Sequence, residues 1–136
     1  MSEPVVTVTD TIEPSAREVI RHGLHDFNVA QSGVDDRRDL AVLVQDSQTG
    51  ETVGGLLGRT SRGVLLVDVF FLPEALRGNG LGSRVLELAE EEGRRRGCTR
   101  AVLTTLSFQA PGFYEKRGYQ AFGRFEPRIF MTKDLR

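Results

Sequence analysis

Residues 64–96 constrain this 136-residue chain more than any other stretch. They open with an apolar, β-branched run, Val64-Leu65-Leu66-Val67-Asp68-Val69-Phe70-Phe71-Leu72. The turn Arg77-Gly78-Asn79-Gly80-Leu81-Gly82 follows, and then Ser83 and a segment with apolar residues at 81, 85, 88 and 89. That spacing predicts one buried stripe on a helix. Strand, glycine turn and helix together form an anion-binding unit. Glycines at 78, 80 and 82 allow a tight turn and let a ligand come close to the main chain. The first N–H groups of the helix lack internal partners and sit at the positive end of its dipole, which suits a phosphate group. A mononucleotide P-loop requires Gly-Lys-Ser/Thr here, and the chain has Gly-Leu-Gly-Ser with no lysine. A dinucleotide fold places G-x-G-x-x-G early in a long series of βαβ units, whereas G-x-G-x-G stands here at mid-chain. The plainer alternative is a turn whose glycines serve only chain reversal.

The rest of the chain reads as one domain over residues 1–136. Hydrophobic residues at 39% and charged residues at 27% allow an ordinary soluble core. A net charge of −1 lacks the basic footprint of a nucleic-acid binder. The lone Cys98 excludes an internal disulfide and fits a reducing compartment, so the expectation is a cytoplasmic protein. No membrane span and no signal peptide are expected. Val5 to Thr9 predicts a first strand. Ser15-Ala16-Arg17-Glu18 has the capping-box pattern, with Val19, Ile20, Leu24 and Phe27 on one side of the helix it opens. Residues 28–38 read as a loop or a broken second helix. Residues 40–45, 52–59 and 64–72 predict an antiparallel meander, its middle strand weakened by Gly54, Gly55 and Gly58. In the helix after the glycine turn, Glu90–Arg94, Glu91–Arg95 and Glu92–Arg96 are expected i,i+4 pairs, and Gly97 is the stop. A buried strand at 99–106, a short helix opened by Pro111 and two strands at 120–125 and 129–133 complete the chain.

Arg77-x-x-Gly80-x-Gly82 after a strand resembles the Q/R-x-x-G-x-G/A signature of the GNAT acetyltransferase superfamily. Phe113-Tyr114-Glu115-Lys116-Arg117-Gly118-Tyr119 is similar to that family's F-Y-x-x-x-G-Y/F segment, and the two stand at the family's mutual spacing. The resemblance extends over nearly the whole chain. It implies a mixed α/β sheet in the order β-α-β-β-β-α-β-α-β-β, with the fourth and fifth strands splayed apart. Phe108 to Tyr114 resembles a bacterial branch of unassigned acceptor.

The resemblance also implies acetyl-CoA as donor and no metal. Two histidines, His22 and His25, with no cysteine nearby are a poor basis for a metal site. It puts the pantetheine arm on Phe70, Phe71 and Leu72, and the diphosphate on Arg77, Gly78, Asn79, Gly80, Leu81, Gly82 and Ser83. Gln109 stands where many relatives carry a cofactor-touching asparagine, and Lys116 is either a 3′-phosphate contact or a solvated lysine. Tyr114 takes the role of general acid to the leaving thiolate, because an ordinary phenol is protonated at pH 7. Its plainer alternative is packing beside the sulfur, and Tyr119 reads as core. Asp68 interrupts an apolar run, in a pattern like the E/D-x-h-h-V strand of amine acetyltransferases. It is a base, direct or through water, or a holder of a cationic substrate, or a carboxylate bonded to a nearby loop. Asp26 and Asn28 are the acceptor-binding candidates. The expected activity is N-acetylation of a small-molecule primary amine by a homodimer. Acetylation of a peptide or protein amine, and a non-catalytic acyl-CoA sensor, are the alternatives.

Overall fold

The computed structural model describes residues 2–136, which fall into two compact units, Met1–Asp35 and Asp36–Arg136. The first holds one helix, α1 (Pro14–Ser32). The expected strand at Val5 to Thr9 does not form: these residues are exposed and have no strand pairing. Propensity for β-structure is realised only against a neighbouring strand, and a short β-branched run does not supply one. The expected capping box is not used either. Glu13 is the N-cap without a side-chain bond, and Pro14 takes the first helical position. The helix also continues through residues expected to be loop. Ser32 Oγ donates back to the Asn28 carbonyl (2.7 Å), and Gly33, at φ 71°, ends the helix with its N–H on the Val29 carbonyl (2.8 Å). The stop signal was Gly33, five residues beyond where polar composition suggested it.

The second unit is a six-stranded mixed sheet in the order β1-β2-β3-β4-β6-β5. Its strands are β1 (Arg38–Gln45), β2 (Thr52–Ser61), β3 (Val64–Phe71), β4 (Arg100–Leu106), β5 (Gln120–Phe125) and β6 (Arg128–Asp134). The expected meander is β1-β2-β3, and β4 is parallel to β3. The glycines of β2 do not weaken it. At Gly55 (φ 139°) a Cβ would run into the Val42 carbonyl, and at Gly58 into that of Leu66, so the residues let neighbouring strands come close. Helices α2 (Leu81–Arg95) and α3 (Pro111–Glu115) complete the unit. No helix among the described residues is long and apolar enough to cross a membrane.

Helix α2 buries Val85, Leu86, Ala89, Glu90 and Gly93, a stripe turned from the expected one, with Leu88 exposed. Gly93 falls on the buried stripe and faces Leu65 and Cys98, where an added Cβ would make ordinary contact at 3.5 Å and 3.7 Å. Of the expected charge pairs, Glu92–Arg96 forms at 2.8 Å and Glu91–Arg95 is long at 3.9 Å. Glu90 does not pair with Arg94. It is 3% exposed, accepts the Tyr119 hydroxyl (2.8 Å) and meets Lys133 Nζ (2.9 Å). Arg94 bonds the Leu135 carbonyl instead.

Glu90 therefore ties α2 to β6 and to Tyr119, the residue just before β5. Removing one member of a buried ion pair leaves the other uncompensated, at about 3–5 kcal/mol. Glu90→Ala is expected to lose stability of that order in urea denaturation at neutral pH. Burial and the Glu90 carboxylate push the Tyr119 phenol well above its ordinary range. Its folded pKa is raised, so its contribution is intact below about pH 10, the unfolded value, and declines as pH rises beyond it.

Candidate active site

Strands β3 and β4 pair only from Val64↔Arg100 to Val67↔Leu103. Beyond that point β3 continues to Phe71 and β4 to Leu106, so their facing edges part. A register shift between Leu57 and Gly58 leaves Asp68 as the extra residue on β3 at the point of parting. Such a bulge increases local twist and bends the strand. The expected splay is present, and it begins next to this bulge.

A cavity of about 700 Å³ occupies the opening. Phe70, Phe71 and Leu72 form one wall, and Gly78, Gly80, Gly82 and Ser83 form another. Thr105, Phe108, Gln109, Ala110 and the α3 residues Phe113 and Tyr114 close it, together with Arg117. Gly80 is the N-cap of α2, and no side chain caps the helix. The N–H groups of Gly78, Asn79, Gly80, Gly82 and Ser83 find no acceptor among the described residues. Arg77 and Leu81 differ from expectation. The Arg77 N–H is bound to the Glu74 carbonyl (3.1 Å), and the Leu81 N–H reaches Asn79 Oδ1 (3.4 Å). Arg77 instead lends its side chain, Nε donating to the Leu72 carbonyl at 2.8 Å. A Cβ at Gly78 or Gly80 would meet nothing within 4 Å. Main-chain donors without acceptors, facing space kept clear of side chains, suit an anionic group.

The aromatic residues fix Tyr114. Its ring packs edge to face on Phe113 (5.2 Å between centroids), Tyr119 (5.8 Å) and Phe70 (6.4 Å). Its hydroxyl has no partner among the described residues, and the residue lines the cavity. Burial pushes its phenol above the ordinary range, so the group enters chemistry as a protonated donor. Tyr119 is buried, as its core reading required.

Gln109 lines the cavity, but its carbonyl is engaged. Oε1 accepts the Leu106 N–H (2.9 Å) and the Thr105 hydroxyl (3.1 Å), holding the turn after β4. Lys116 is exposed, in line with the solvated reading. Asp68 does not line the cavity. Both its oxygens accept from Arg59 Nη1, at 2.9 and 3.0 Å. Asp26 and Asn28 lie on α1 in the first unit, Asp26 exposed and Asn28 partly buried. No group of His, Cys, Asp and Glu among the described residues is arranged to hold a metal. Sequence reasoning missed Arg117 and Phe108. Arg117 sits beside the Gly118 stop and reads as ordinary helix-end charge. Phe108 follows β4 and gives no periodic signal.

A family profile described as "Acetyltransferase (GNAT) family" matches residues 9–119. The chain belongs to the GNAT acetyltransferase family. Acetyltransferase Atu2258 of Agrobacterium fabrum is 38% identical over 120 residues, covering 88% of this chain and 87% of that protein. A crystal structure of an acetyltransferase from Agrobacterium tumefaciens superposes with a TM-score of 0.89 at 34% identity, over 96% of this chain and 99% of that one. Blasticidin-S acetyltransferase of Streptomyces morookaense is 42% identical over 74 residues, 54% of each chain. The GNAT family uses acetyl-CoA, and the residues here fit it: the free amides suit its diphosphate, and the parted β3 edge suits an amide-bearing arm.

Proposed function

We propose that this GNAT protein is an N-acetyltransferase that passes the acetyl group of acetyl-CoA to a primary amine of a small molecule. One observation carries the reading: Gly78, Gly80, Gly82 and Ser83, whose N–H groups are free, and Tyr114, whose hydroxyl is unpartnered, line the same cavity. When bound, acetyl-CoA supplies an activated acetyl carbon and a thiol leaving group. The α2 amides anchor the phosphates, and the freed edge of β3 beyond Val67 orients the arm toward Tyr114. Tyr114 donates its proton to the departing sulfur, and burial keeps the phenol in its neutral, protonated form beforehand. Asp68, forked by Arg59, stabilises the bulge beside which the strands part, and the amine gives its proton to water. Positioning then accounts for much of the rate. The match to blasticidin-S acetyltransferase supports a small-molecule acceptor.

The engagement of Asp68 favours a second reading, a module that holds acyl-CoA without turnover. Thiol release with acetyl-CoA and a panel of small primary amines separates the two. The enzyme reading expects thiol to appear with at least one amine, in step with acetylated product. Tight cofactor binding with no thiol from any amine favours the binding module.

A further inference from the structure

We propose that Arg117 is the cation that holds the coenzyme's diphosphate, an assignment that rests on the reading above. Arg117 follows α3, yet its side chain reaches the first turn of α2. Nε donates to Ser83 Oγ at 2.6 Å and Nη1 to the Phe113 carbonyl at 2.9 Å. The guanidinium lies over the Phe113 ring, 3.9 Å from its centroid. Three contacts from two elements fix its plane. Its third nitrogen, Nη2, has no acceptor among the described residues, and no carboxylate there forms an ion pair with it.

A partly buried cation with no counter-charge is costly unless an anion completes the site. Arg117 lines the cavity, and the Ser83 bond fixes it beside the free amides of Gly82 and Ser83 at the start of α2. The charge is thus set at the diphosphate position. Arg77 is held in a comparable way at the end of β3, through its bond to the Leu72 carbonyl. Two pinned guanidiniums on one cavity match the two charges of a diphosphate. A lysine would carry the charge but could not keep the stacked, forked geometry. The GNAT-like segment Phe113 to Tyr119 therefore has two parts: Tyr114 serves the sulfur end of the ligand, and Arg117 serves its phosphates.

Titration calorimetry of the full chain with coenzyme A, 3′-dephospho-coenzyme A and pantetheine tests this. Arg117→Met keeps the apolar stem on Phe113 and removes the charge. Its expected result is about tenfold weaker binding of both phosphate-bearing ligands, from one lost charged hydrogen bond, with pantetheine within twofold of wild type. If that variant does not fold, Arg117→Lys carries the same comparison, with about threefold loss for the phosphate ligands only. Equal weakening of all three ligands, or of none, overturns the proposal. Loss confined to coenzyme A also overturns it, since that result points to the 3′-phosphate. Wild-type protein that binds no coenzyme A refutes the functional reading itself, whereas unchanged binding by the variant refutes only the role of Arg117.

Discussion

Gly80→Glu is expected to weaken coenzyme A binding by roughly a thousandfold while the protein stays folded. Gly80 has φ 86° and caps α2, and a Cβ there meets nothing within 4 Å. A side chain at this position therefore meets open space at the cavity that Gly80 lines, and not the core. The folding cost is that of one residue in the left-handed region, about 1–2 kcal/mol, or a few degrees in melting temperature. The binding cost is much larger. A carboxylate about 4 Å from a diphosphate oxygen meets repulsion of about 4 kcal/mol at an effective dielectric near 20, close to three powers of ten in affinity. Gly80→Ala shares the backbone strain without the charge, and its loss of affinity should be far smaller. Calorimetry of both variants beside thermal melts separates the terms. Equal affinity for Gly80→Glu and wild type would move the phosphate site elsewhere.

Tyr114→Phe is expected to lower kcat by about 10²–10⁴, the usual scale for a lost general acid, and to leave cofactor affinity within about twofold. The hydroxyl has no partner among the described residues, so its removal strands no polar group and stability should hold. Burial raises the phenol's pKa, so the acid form persists above the ordinary value near pH 10. Wild-type kcat should therefore show no alkaline fall from this group below about pH 10. Its rise on the acid side should follow deprotonation of the acceptor amine. A Tyr114→Phe variant with unchanged kcat would leave the tyrosine only a packing role.

The parts legible in the sequence are those whose meaning lies in short spacing. The strand, glycine turn and helix at 64–96 and the short helix at Pro111 came from turn chemistry and periodicity. The family resemblance pointed to Tyr114. The parts that were not legible depend on which residues the register brings together. Asp68 looked like a carboxylate free for chemistry because Arg59, nine positions earlier, meets it only across the β2–β3 bulge. Glu90 looked like a solvated helix charge because its partners, Tyr119 and Lys133, lie 29 and 43 residues away. Arg117 reaches Ser83 across 34 residues. The expected strand at Val5 to Thr9 failed for the complementary reason: strong local propensity met no partner.

The most direct measurement is a crystal structure of the protein soaked in coenzyme A. The account predicts diphosphate oxygens within hydrogen-bond reach of the Gly78 to Ser83 amides, the arm along β3 beyond Val67, and sulfur beside the Tyr114 hydroxyl. Coenzyme A lying outside the β3–β4 opening, or phosphates away from the start of α2, would contradict it.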